Sequence, residues 1–194
     1  MAGPTKLNLK IYQGSTFRET IRWESPVKVY APITMVSKSA PMVITAQNHG
    51  LPNGWRLKIS GVGGMKEANT TDWVYASDVT ANTVAINSAN SLAYTTFTSG
   101  GVLEYNQPID LTGYTARMQI REKITSETVL ETLTTENGKI LIDTSQKTIS
   151  LVLSAEMTAA YAWKSGVYSL EMVKDGVVTG LIYGSVSVER EVTR

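Results

Sequence analysis

Cysteine is absent from the 194 residues, and histidine occurs once, at position 49. No disulfide, thiolate metal site or cysteine nucleophile can therefore be built. A multi-histidine metal centre is excluded too, and a Ser-His-Asp triad would have to use His49. The lack of cysteine suits a protein made and assembled in a reducing cytoplasm. Charge of one sign is not in excess either. Eighteen Lys and Arg against 17 Asp and Glu give a net charge of +1, with the signs mixed along the chain. That argues against an electrostatic footprint for nucleic acid or for an anionic membrane. No apolar run approaches the ~20 residues that span a bilayer. No apolar stretch follows Met1 to Lys6, so no secretory signal is expected.

What the chain does have is period-two alternation in short runs. Leu7, Leu9 and Ile11 share one face of Lys6 to Tyr12, and Phe17, Ile21 and Trp23 share one face of the next run. From Tyr114 to Arg121 the residues Tyr114, Ala116, Met118 and Ile120 face one way, and Thr115, Arg117, Gln119 and Arg121 the other. Ile149, Leu151 and Leu153 repeat the pattern, as do Tyr168, Leu170 and Met172, then Ile182, Val186 and Val188. One apolar and one wet face per strand is the reading of half-buried antiparallel strands. Turn residues punctuate the runs at Gln13-Gly14, Glu136-Asn137-Gly138 and Asp175-Gly176, the last predicting a tight hairpin. Only Ser154 to Ala162 looks helical, with serine as N-cap and Lys164-Ser165-Gly166 as its stop.

The middle of the chain changes character. From Pro32 to Tyr105 it is poor in charge and rich in Thr, Ser, Asn and Gly, yet it has strand candidates of its own: Ile33 to Ser37, Met42 to Ala46, Trp55 to Ser60, Trp73 to Ser77, Thr83 to Ile86 and Gly101 to Tyr105. A structureless loop of that length is implausible, so a second folded unit is expected inside a loop of the first. The predicted organisation is a discontinuous β-sandwich of residues 1–31 and 106–194 with a small β-barrel at 32–105.

The outer segments carry a recognisable pattern: Gln13-Gly14-Ser15-Thr16-Phe17, then Pro108-Ile109-Asp110-Leu111-Thr112-Gly113-Tyr114 running through Arg121, then Leu153-Ser154-Ala155-Glu156, Trp163, Gly166-Val167-Tyr168 and the closing Glu191-Val192-Thr193-Arg194. Over about half the chain this resembles small virion proteins of tailed bacteriophages, similar in plan to the immunoglobulin-like N-terminal domains of upper baseplate proteins. The middle segment has Ile44-Thr45-Ala46, His49-Gly50-Leu51, Asn53-Gly54, Ile59-Ser60-Gly61-Val62, Met65, Asn69, Trp73 and Asn82-Thr83, with Ser99-Gly100-Gly101 late. It resembles the small β-barrel module first named from ubiquitin-activating enzymes (FCCH-like) and common in phage tail proteins. Trp55 stands where that module usually has a polar residue. The resemblance carries no catalytic residue.

Each candidate site has a structural reading beside the chemical one. His49 lies in Asn48-His49-Gly50-Leu51-Pro52-Asn53-Gly54, which reads as two turns. Gly61-Val62-Gly63-Gly64-Met65-Lys66 lacks the spacing and following helix of a phosphate loop and also reads as a turn. Asp110, Glu131, Glu136 and Asp143 could supply a glycosidase pair, but they sit at strand ends or turns without an aromatic cleft. Trp23, Trp73 and Trp163 read as core. Trp55 is the best candidate for exposure, although Leu57 and Ile59 on its face argue for burial.

These observations predict an all-β immunoglobulin-like sandwich with a small β-barrel inserted in a hairpin loop. The resemblance implies a non-enzymatic structural component of a virion, assembled in the host cytoplasm. It would join tail, baseplate, neck or fibre proteins in several symmetric copies. No catalytic, cofactor or metal residues are expected, and neither nucleic acid nor membrane is an expected partner. The surface expected to meet a partner is the wet face of the Tyr114 to Arg121 strand, carrying Arg117, Gln119 and Arg121, because planar guanidinium groups can make several directed bonds at once. Two alternatives stay open: a host-receptor or glycan-binding module of the tail, and a capsid decoration protein.

Overall fold

The computed structural model describes residues 3–190; residues 1–2 and 191–194, the latter being the end of the motif pattern, lie outside the described residues. The strands in chain order are β1 (Thr5–Lys6), β2 (Leu9–Tyr12), β3 (Phe17–Ile21), β4 (Glu24–Pro32), β5 (Met35–Val36), β6 (Met42–Thr45), β7 (Arg56–Ser60), β8 (Val74–Tyr75), β9 (Thr83–Ile86), β10 (Val102–Pro108), β11 (Thr115–Arg121), β12 (Val129–Thr134), β13 (Ile140–Asp143), β14 (Thr148–Leu153), β15 (Ser165–Lys174) and β16 (Val177–Glu189). Among the described residues there is one short α-helix, α1 (Ala155–Ala159), between β14 and β15. The chain is all-β. It divides into two compact units, one ending at Trp23 and resuming at Asp110, the other running Glu24–Ile109.

The first unit is a sandwich. One sheet has the order β1-β16-β15-β11-β12, with β2 also paired to β16; the other is β13-β14-β3. Alternation decides what is buried. Leu9 and Ile11, Ala116, Met118 and Ile120, Tyr168, Leu170 and Met172, and Ile182, Val186 and Val188 are buried from the larger sheet, and Ile140, Ile149, Leu151 and Leu153 from the smaller. Each such side chain contributes about 1.5–3 kcal/mol on burial. The β15–β16 hairpin turns at Asp175-Gly176, both with positive φ (51° and 76°), the geometry that matches the twist of two antiparallel strands. The helix forms as its sequence suggests, with Ser154 Oγ accepting from Met157 N. At its far end the Gln13 amide donates to the carbonyls of Ala159 and Tyr161, both at 3.1 Å. Gln13 therefore anchors a helix end as well as opening a turn.

The N-terminal strands run parallel to β16, which carries β15 on its other side. They are interrupted at Leu7-Asn8, where the Leu7 carbonyl accepts from the buried Tyr168 hydroxyl at 2.8 Å. Gly184 faces this break, and a Cβ there would collide with the Leu7 carbonyl.

The second unit wraps two small sheets, β4-β10-β7-β8 and β5-β6-β9, around one core that includes Ile44, Trp55, Leu57, Ile59, Met65, Ile86 and Leu103. The chain passes from β4 in one sheet to β5 in the other, and an isolated bridge joins Ser77 to Ala85. The hydrogen-bond ladder is not continuous around the core, so among the described residues the unit is barrel-like without being a closed barrel. The boundaries also lie further out than Pro32 and Tyr105. β4 pairs with β10 from Glu24↔Pro108 to Pro32↔Val102, which draws Glu24 to Ala31 and Asn106 to Ile109 into the second unit.

The face assignment of β11 gives a direct test. Met118 is buried and Arg117, its neighbour, is exposed. Met118→Asp places an unpaired carboxylate in an apolar interior and is expected to unfold the sandwich. Arg117→Ala removes one exposed ion pair and is expected to cost under about 1 kcal/mol. Thermal melting followed by circular dichroism measures both, and equal losses would refute the assignment.

Candidate functional site

The residues best suited to chemistry are all engaged in holding the fold. His49 is buried; its Nδ1 accepts from Leu51 N at 3.1 Å, which leaves Nε2 as the protonated nitrogen facing the Thr83 carbonyl at 3.3 Å. Its own carbonyl accepts from the Tyr105 hydroxyl, whose pKa burial pushes up. The positive φ values around it belong to Asn48 and Gly50. In the glycine-rich segment, the amides of Val62, Gly63, Met65 and Lys66 donate to Asn69 Oδ1, Ser99 O, Gly63 O and Gly64 O. Those N–H groups point at protein acceptors, not at a phosphate.

The four candidate carboxylates divide into three turn caps and one sandwich tie. Asp110 Oδ1 accepts from Thr112 Oγ1 at 3.0 Å and Lys147 Nζ at 2.8 Å, and its pKa is lowered to about 2, chiefly by Lys147 and then Thr112. With Leu111 buried and Gly113 at φ 77°, this explains the Asp110-Leu111-Thr112-Gly113 sequence as a capped turn leading into β11. Asp143 Oδ1 likewise accepts from Ser145 N, Ser145 Oγ and Gln146 N. Glu136 accepts from Thr135 Oγ1. Glu131 is different. It lies opposite Ile120, on the inward side of β12, and takes bonds of 2.8 Å each from Lys139 Nζ, Tyr161 OH and Thr132 N. Burial alone would raise its pKa. The Lys139 and Tyr161 bonds outweigh that and leave it below the ordinary glutamate value. No cluster of three or more His, Cys, Asp or Glu suited to a metal occurs among the described residues.

Two surfaces remain. The first is the outer face of the six-stranded sheet, a shallow concavity of about 370 Å³ lined by Arg117, Gln119, Thr132, Thr134, Ser169 and Glu171. Arg117 Nε bonds Glu171 Oε2 at 2.8 Å across β11 and β15. Arg121 does not line this hollow. Its guanidinium donates to the carbonyls of Ser126 and Glu127, at 2.7 and 2.8 Å, and to Gln119 Oε1. Of the three residues singled out on β11, two lie in one concavity, and the third clamps the β11–β12 connection.

The second surface lies on the β4-β10-β7-β8 sheet and was missed in the sequence because its aromatic residues were assigned to the core. Trp73 is half-buried and Tyr75 exposed, while Trp55, the candidate for exposure, is completely buried with its indole N–H donating to Asn106 O at 2.8 Å. The phase of Trp55 with Leu57 and Ile59 was the correct signal; for Trp73 and Tyr75 the apolar phase is that of Val74 and Ala76 instead. Lys28 Nζ, Arg56 Cζ and Lys58 Nζ lie 5.2, 4.7 and 5.2 Å from the Trp73 ring centroid. At an exposed site each such contact is worth about 0.5–1 kcal/mol. Trp23 is half-buried and packs edge-on to Tyr114 at 5.5 Å, and Trp163, also half-buried, packs against Tyr161 in a tilted arrangement at 4.8 Å.

No protein-family model matches the chain, and no curated protein matches it in sequence.

Two outcomes follow for the structural polar groups. His49→Ala leaves the buried Leu51 N–H without its acceptor and is expected to destabilise by about 1–3 kcal/mol, measured by denaturant unfolding. The Glu131 carboxylate, with its pKa lowered on folding, contributes stability that is present above the ordinary glutamate range and is lost as pH falls through the folded value. Tyr161→Phe removes one of the bonds holding that value down, so the acid-unfolding midpoint is expected to move to higher pH. An unchanged midpoint would show the network to be inert.

Proposed function

We propose that the chain is a non-enzymatic structural component of a tailed bacteriophage virion, acting in the tail, baseplate or neck or as a fibre adaptor through protein–protein contacts. The observation that carries this reading is the segment Pro108 to Arg121. It combines the motif that resembles one of small virion proteins, a capped turn at Asp110 and Thr112, and an alternating interior strand of a six-stranded sheet. That strand presents Arg117 and Gln119 in an open polar hollow. A polar, shallow hollow with directed donors suits docking onto a neighbouring protein. Repeated copies in a symmetric ring make such modest contacts add up. The engagement of His49 and of the acids in turns and ties supports the non-enzymatic reading. In the proposal the docking residues are Arg117 and Gln119, and Arg121 acts by fixing the loop beside them.

The test is the location of the chain in assembled particles. Cryo-electron microscopy of virions is expected to show it in several symmetry-related copies at the tail, baseplate or neck. Arg117→Glu, at an exposed position, is expected to leave the sandwich folded by circular dichroism and to reduce incorporation at least tenfold. Absence of the chain from purified particles would refute the proposal, and normal incorporation of the variant would refute the docking face.

A further inference from the structure

The outer face of the β4-β10-β7-β8 sheet is built of alternating rows. Tyr30 pairs with Glu104 and Glu104 with Lys58, while Lys28 pairs with Asn106 and, two strands on, Arg56 pairs with Tyr75. The opposite parity, with Ala31, Leu103, Leu57 and Ile59, is buried. Aromatic rings therefore stand at both margins of the face: Tyr30, 58% exposed, on β4, and Tyr75, 63% exposed, with Trp73 at β8. Charged and amide side chains fill the middle. Three strand spacings separate the margins, roughly 14 Å.

We propose that this face binds a glycan chain containing uronic acid. The proposal goes beyond the assembly reading and does not depend on it. Charge sets the sign of the ligand. Both carboxylates on the face are already paired, Glu104 with Lys28 at 2.8 Å and Glu24 with Arg56 through two bonds of 2.6 Å. Lys58 is the cation left over: its ammonium lies over the Trp73 ring and makes no ion pair among the described residues. An incoming carboxylate pairs with Lys58.

The rest of the face selects the class of ligand. Exposed Tyr rings offer flat apolar surface to the C–H faces of sugar rings, and their hydroxyls, with the Glu104 carboxylate, offer donors and acceptors to sugar hydroxyls. A nucleic-acid backbone needs a continuous basic track, and here Glu104 stands between Tyr30 and Lys58. A dry protein contact excludes charge from its centre, and on this face the centre is where the charges lie.

The experiment titrates the full chain with oligogalacturonate, alginate and hyaluronate oligosaccharides. Calorimetry reads binding, and tryptophan fluorescence reports on the half-exposed Trp73. Methyl-esterified oligogalacturonate, neutral dextran oligomers and oligo-dT are the comparison ligands. Saturable binding to at least one uronate, at least tenfold tighter than to the methyl ester and to dextran, is expected. Tyr30→Ala and Tyr75→Ala, both at exposed positions, are expected to weaken it at least fivefold with unchanged melting temperature. Lys58→Gln is expected to erase the preference for the free acid over the ester. The proposal is overturned by failure of all three uronates to bind, by binding that survives both tyrosine substitutions, or by tighter binding of oligo-dT.

Discussion

The antiparallel ladder between β4 and β10 is the constraint on which the two-unit organisation rests. It sets Glu24 opposite Pro108 and Pro32 opposite Val102, so the chain leaves the sandwich sequence and returns to it through residues that are paired with each other. A folded unit can interrupt another only where its own ends meet, and a strand pair is the most direct way to make them meet. The same ladder positions the second unit's surface. Once Glu104 is opposite Tyr30 on one side and Lys58 on the other, the placing of rings at the margins and charges in the centre follows from register alone.

Strong alternation made much of this architecture readable before any coordinates. The strands around Met118, Leu151, Leu170 and Val186 each bury the expected apolar phase, and in the Leu151 strand Ser150 of the other phase is buried as well. The Asp175-Gly176 turn and the Ser154 cap were equally plain, because their chemistry is local. β12 and β13 were not read as strands. β12 places Glu131 at an inward position, and its pairing with β11 shifts register between Ile120 and Arg121, so no clean apolar phase survives. In β13 three apolar residues occur in succession, with Ile140 buried and Leu141 exposed. Nothing in the sequence announces that Glu131 will be paired with Lys139, which comes from the turn after β12, and will accept from the Tyr161 hydroxyl beyond the helix.

The tryptophans show where residue type misleads. Size and apolar character favour the interior, and Trp55 obeys, with a carbonyl acceptor for its N–H. Trp73 does not, because its phase along β8 is set by Val74 and Ala76, and three cations gather at its ring. The β11 site shows the complementary limit. Alternation correctly placed Arg117, Gln119 and Arg121 on the side away from the core. Which of them lines the hollow is decided by partners that alternation does not encode: the Ser126 and Glu127 carbonyls of the following loop draw Arg121 away, while Glu171 on the neighbouring strand holds Arg117 in it.

The parallel pairing of β1 and β2 with β16 has a consequence for biosynthesis. Among the described residues β1 and β2 have no sheet partner except β16, which is made after all the other strands described. Every partner within the second unit, by contrast, lies between Glu24 and Ile109. At ordinary elongation rates the interval between completion of the second unit and emergence of β16 is on the order of several seconds, long compared with the folding of a small β-domain. The interior unit is thus finished on a nascent chain while β1 and β2 are still waiting, and the sandwich closes only once β16 has emerged, with the inserted unit already in place.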